Sequence, residues 1–110
     1  MVILDLRKQG GPVGSDWGLG IVIDPESPDQ LMQEMTELTS VIRDWVAMRG
    51  TGGTLIELTF VGEEADQDSF ESHLGALMAG DLAGLLVGRL MEVTTMYPDG
   101  TRARQGTLGG

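Results

Sequence analysis

The chain has 110 residues, 41% of them hydrophobic and 22% charged, the size and mix of a single domain with its own core rather than of a disordered segment. A net charge of −10 and an isoelectric point near 4.2 argue against binding nucleic acid, which needs a basic surface, and against docking on an anionic membrane. There is no cysteine, so disulfides, zinc–thiolate sites and thiol chemistry are excluded.

Residues 2–6 (VILDL) open on β-branched residues and run into a glycine-rich loop, which predicts a first strand. The loop, 9–18 (QGGPVGSDWG), has turn chemistry throughout. No Lys-Ser or Lys-Thr follows a correctly spaced glycine, and a strand comes next rather than a helix, so it is neither a phosphate loop nor a dinucleotide fingerprint. Residues 19–23 (LGIVI) predict a second strand, hairpinned to the first.

The stretch 27–50 predicts a long amphipathic helix. Ser27 caps it, Pro28 suits its first position, and Gln30 completes a capping box. Leu31, Met35, Leu38, Ile42 and Trp45 follow at helical spacing on one stripe, widened by Val41 and Met48. Gln33, Glu34, Glu37, Ser40 and Asp44 fall on the wet side, and Gly50 stands where a left-handed cap is wanted.

After a reversal at 51–53, residues 54–61 (TLIELTFV) alternate as a strand, with Ile56, Leu58 and Phe60 towards the core and Glu57 towards solvent. A second helix is expected over 69–79, capped by Asp68, with Phe70, Leu74, Leu77 and Met78 on its apolar face. A break at Gly80 and a short turn over 81–87 follow, because glycine is a poor helix former in water. Residues 90–97 and 101–108 flank Pro98-Asp99-Gly100, a hairpin signal in which Asp-Gly supplies positive φ angles. The order predicts one α+β domain over 1–110. Its sheet is expected to be mostly antiparallel, of about five strands, with the long helix and a second shorter helix packed on one face.

Motifs for chemistry are few. His73 is the single histidine, and with no second His or Cys it reads as a surface residue. No G-x-S-x-G elbow is present. Asp66-x-Asp68 opens like a calcium loop but lacks the glycine and final glutamate of an EF-hand. The apolar run at the N-terminus precedes its basic pair, the reverse of a secretory signal. The longest apolar stretch, 74–91, carries Asp81 and Arg89, which speaks against a membrane span. A cytoplasmic location is the expectation.

These readings lead to a small acidic, non-catalytic interaction or assembly protein: a structural subunit, an adaptor or an inhibitor/immunity-type binder. It would need no cofactor or metal. Its partner would be another protein, including one with a basic surface, or copies of itself. The candidate contacts are Trp17, an aromatic anchor in its loop, and the acidic patch of Glu63, Glu64, Asp66 and Asp68. An enzyme or small-ligand-binding domain is a further class, one that a ligand-induced rise in melting temperature would mark.

The chain ends Thr107-Leu108-Gly109-Gly110. This diglycine resembles the tail of ubiquitin-like modifiers and sulfur carriers, and an opening hairpin followed by a helix resembles the start of the β-grasp fold. The resemblance covers only the two ends of the chain. It implies a second functional reading, in which Gly110 is activated as an adenylate and joined to a lysine or converted to a thiocarboxylate.

Overall fold

The computed structural model describes residues 1–7, 17–49 and 53–109, apart from the side chains of residues 5–7, 17 and 109. In chain order the elements are β1 (Val2–Arg7), β2 (Trp17–Ile23), α1 (Pro28–Arg49), β3 (Gly53–Val61), α2 (Glu64–Met78), α3 (Asp81–Leu85), β4 (Leu90–Met96) and β5 (Arg102–Gly109). The five strands form one sheet in sequence order. The α+β class and the strand count agree with the sequence.

The pairing does not. β1–β2 and β4–β5 are antiparallel, but β2–β3 and β3–β4 are parallel, so the sheet is mixed rather than mostly antiparallel. A helix inserted between neighbouring strands returns the chain to the end where the previous strand began, and the next strand then runs parallel. The two antiparallel pairs, β1–β2 and β4–β5, have no helix between their strands among the described residues.

One helical layer covers one sheet face. Leu19, Ile21 and Ile23 of β2, Ile56, Leu58 and Phe60 of β3 and Met91 of β4 meet Leu31, Met35, Leu38, Ile42 and Trp45 of α1 in a single buried cluster. The capping box forms as expected at one bond: Gln30 N–H donates to Ser27 Oγ at 3.1 Å. The Gln30 side chain reaches one residue further back than the usual box, accepting from Glu26 N–H at 2.9 Å.

Two stripe assignments change. Glu34 is buried at 5% exposure rather than wet, because the Met1 ammonium lies against its carboxylate. Met48 is 65% exposed and does not widen the buried stripe. Trp45 packs so close to Gly53 that a Cβ there would stand 2.5 Å from the indole Cη2. The glycine is a requirement of that ring. Gly50 and residues 51–52 of the expected reversal lie outside the described residues, as does the loop segment 8–16.

α2 begins at Glu64, five residues before the sequence expectation, and Asp68 is inside the helix rather than its cap. Acidic side chains in a first turn favour the helix through its dipole, so they extend it rather than forming a separate loop. Buried Gln67 ties this turn to the sheet, donating from Nε2 to the Gly62 carbonyl at 3.0 Å and to the Met96 carbonyl at 3.4 Å. Phe70 stacks on Phe60 with centroids 4.5 Å apart. The expected break at Gly80 is present, and the following turn is helical as α3. Arg89 then fastens α3 to the sheet: its Nε donates to the Gly53 carbonyl at 2.8 Å and its guanidinium to the Leu85 carbonyl at 3.2 Å.

At the β4–β5 hairpin Gly100 has φ +91°, but Asp99 does not take positive φ. Tyr97 to Gly100 instead closes a turn with Pro98 at its second position, followed by the glycine in the left-handed region. Asp99 Oδ1 accepts from Thr101 N–H at 2.8 Å. That bond, with one from the Thr101 hydroxyl, holds the carboxyl below the usual aspartate range.

Two predictions follow from this packing. Trp45→Ala lowers the unfolding free energy by about 3–5 kcal/mol, and Gly53→Ala by about 1–3 kcal/mol through overpacking. In urea melts the double variant loses less than the two losses added, because the ring that the new methyl strikes is gone. For Asp99, the folded state is the more acidic, so the turn's contribution is complete above the unfolded value near 3.8 and fades as pH falls through the lower folded value. Thermal melts from pH 7 downwards should therefore show the wild type's advantage over Asp99→Ala shrinking only in that acid range.

Candidate functional site

With every helix on one side, the other sheet face has no element over it among the described residues. Register fixes what it displays, because Cα partners share a face. Gly20, Glu57, Glu92 and Thr107 form one row across β2–β5, with Leu4 of β1 at its end. A neighbouring row runs from Val22 through Thr59 and Thr94 to Gln105, and another carries Leu55 beside Leu90. The apolar members are well exposed: Val2, Leu4 and Leu90 each show half of their surface or slightly more.

Glu57 and Glu92 sit side by side at the centre of this face. Neighbouring strands lie about 4.8 Å apart, so the two carboxylates are held as close like charges. Among the described residues neither has a cation against it. Glutamate is not favoured in a strand, and a pair of glutamates directly opposite is destabilising, so folding alone does not account for them. An apolar surface around two uncompensated carboxylates is suited to receiving a cationic group together with apolar contacts.

The acidic residues predicted as contacts lie elsewhere, at the end of the sheet where the parallel strands finish. Glu63, Glu64 and Asp66 stand at the start of α2, which follows directly on β3. Asp24, Glu26 and Asp29 stand at the start of α1, which follows β2 at the same end. The structure thus brings two acidic segments of the chain to one edge of the molecule. They face the two positive helix ends and neutralise them, which disfavours a phosphate there. Asp68 is turned towards β5, with Arg104 3.6 Å away, and Glu71 lies 2.5 Å from the same guanidinium.

The Trp17 side chain lies outside the described residues, although its backbone begins β2, opposite Arg7. Gly109 is the Cα partner of Leu90 at the end of β5, and Gly110 lies outside the described residues. His73 is half-buried on α2. Among the described residues no group of three or more His, Asp and Glu is arranged to hold a metal. None of the described helices is long and apolar enough to cross a membrane. Sequence reasoning placed Glu57 on the solvent side but missed Glu92 and Leu90 as its neighbours. Their apposition needs the parallel register, whose signal in the sequence is the strand–helix–strand order rather than any local motif.

No protein-family model matches the chain, and neither a curated protein nor a solved structure matches it.

The like-charge pair makes its own prediction. Glu92→Gln should raise stability by about 0.2–1 kcal/mol. Urea melts at low salt should show the gain, and about 1 M salt should largely remove it through screening.

Proposed function

We propose that the chain is a small non-catalytic interaction domain that binds another protein through its uncovered sheet face. The partner presents a lysine or arginine flanked by apolar side chains. The observation that carries this reading is the Glu57–Glu92 pair, set among Leu4, Val22, Leu55 and Leu90 with no cation against it among the described residues. Buried and desolvated by a partner, the pair gains a charge-assisted contact while the surrounding leucines and valine lose water. The acidic end near Glu63, Glu64 and Asp66 serves a different purpose. It adds to a field that draws a basic partner in and raises the association rate more than the final affinity.

The test separates the two surfaces. The chain is purified with its partner from its own source, the partner is identified by native mass spectrometry, and binding is repeated with both components pure. Glu57→Lys with Glu92→Lys should weaken the complex at least about tenfold, through faster dissociation. Charge reversal at Glu63, Glu64 and Asp66 should mainly slow association and flatten its salt dependence. A pure complex indifferent to reversal at Glu57 and Glu92 would overturn the assignment of the face, and a chain recovered only as a bare monomer would overturn the reading itself.

A further inference from the structure

The helix-covered face is not covered to its edge. α2 packs over β3, with Phe70 on Phe60, and β5 extends beyond it. Between α2 and the last two strands lies a groove of about 440 Å³, within the range of small-ligand sites.

Its construction is informative. On the helix side the register places Leu108, Gly106 and Arg104 in succession along β5, beside Met91, Val93 and Thr95 of β4. Gly106 therefore leaves a gap between two long side chains. Gly75 of α2 stands on the opposite wall. A Cβ added at either glycine meets nothing within 4 Å, and neither has the positive φ that would require glycine. Each is less favourable in its element than alanine would be. Neither folding nor backbone geometry explains them, but both keep the groove open.

Polarity supplies the second, independent observation. The walls are Leu74, Met78, Val93 and Leu108, and the floor includes Thr95, only 2% exposed, whose hydroxyl has no hydrogen-bond partner among the described residues. A buried hydroxyl left unpaired is unfavourable, so a group that completes it gains a hydrogen bond. At the lip, Arg104 is held by Glu71 and Asp68, which makes that entrance net negative and leaves no spare cation for an anionic head group.

We infer that this groove binds a small uncharged amphiphile, with an apolar body along Leu74, Met78 and Leu108 and a hydroxyl or carbonyl group meeting Thr95. An anion is repelled at the lip, and a charged head of either sign loses hydration at a floor that offers one hydroxyl. The site is on the opposite side of the sheet from the proposed protein-binding face and stands independently of it.

The test uses octan-1-ol, octanoate and octylamine as probes on the isotopically labelled full chain. Octan-1-ol should produce saturable amide shifts at Gly75, Gly106 and Leu108 and raise the melting temperature. The two charged probes should bind at least about tenfold more weakly. Gly106→Val should fold with a melting temperature at or above that of the wild type and lose at least about tenfold in octanol affinity. Gly75→Met fills the groove from the other wall and gives the same reading should the first variant fold poorly. Thr95→Val should weaken octan-1-ol by about two- to tenfold and bring it nearer to the charged probes. Glu57→Lys with Glu92→Lys should leave octanol binding unchanged. The inference fails if octan-1-ol moves none of these amides, if either filled variant binds as the wild type does, or if octanoate or octylamine binds equally well. It fails too if the groove amides shift with protein concentration alone, since a second copy would then be the occupant.

Discussion

Each crossover in this chain moves one strand further along the sheet in the same direction: α1 from β2 to β3, then α2 and α3 from β3 to β4. Connections of a common hand stepping one way send every helix to the same face. One buried cluster results, reached by the three described helices and the central strands. The other face is left without a covering layer among the described residues. The helices concentrate over the central strands, so the outer strand β5 keeps an open groove beside α2. Both candidate sites are thus consequences of a single topological constraint.

The same topology governs the electrostatics. Parallel strands followed by helices bring the N-termini of α1 and α2 to one end, where backbone N–H groups and helix dipoles would ordinarily attract an anion. Here Glu26, Asp29, Glu63, Glu64 and Asp66 occupy that end. A phosphate arriving there would meet carboxylates already using the favourable field. The acidity that composition shows as a single number is therefore distributed with effect: it stabilises two helix starts and leaves a negative rim.

What could be read from sequence was whatever depends on period or on one local motif. The stripe from Leu31 to Trp45, the alternation of Ile56, Leu58 and Phe60, the Ser27 cap and the Gly80 break each follow from near neighbours in the chain. Glu34 looked solvated because helical period alone cannot know that the Met1 ammonium will lie beside it. The start of α2 lies five residues before the apolar spacing of Phe70, Leu74, Leu77 and Met78 marks it, because its first-turn carboxylates favour the helix dipole without adding to that stripe. Strand direction depends on whether each connection returns the chain to the end where the previous strand began, which is a property of the element order and not of any one residue. The candidate site needed that direction: Glu57 was legible as outward, but its contact with Glu92 exists only in the parallel register.

Under the proposed reading, that register also favours a foreign partner over a second copy on the uncovered face. A two-fold dimer brings the same patch against itself. Here it would bury Glu57 and Glu92 of one chain close to Glu57 and Glu92 of the other, four carboxylates in one desolvated centre, between molecules that each carry a net charge of −10. Like charges opposed across an interface cost several kcal/mol, more than the few leucines and valines of the patch offset once association entropy is included. A partner bearing a lysine or arginine reverses the sign of that central term and keeps the apolar contribution. Under the proposed reading, the charge at the centre of the patch, rather than its hydrophobic surround, selects the occupant.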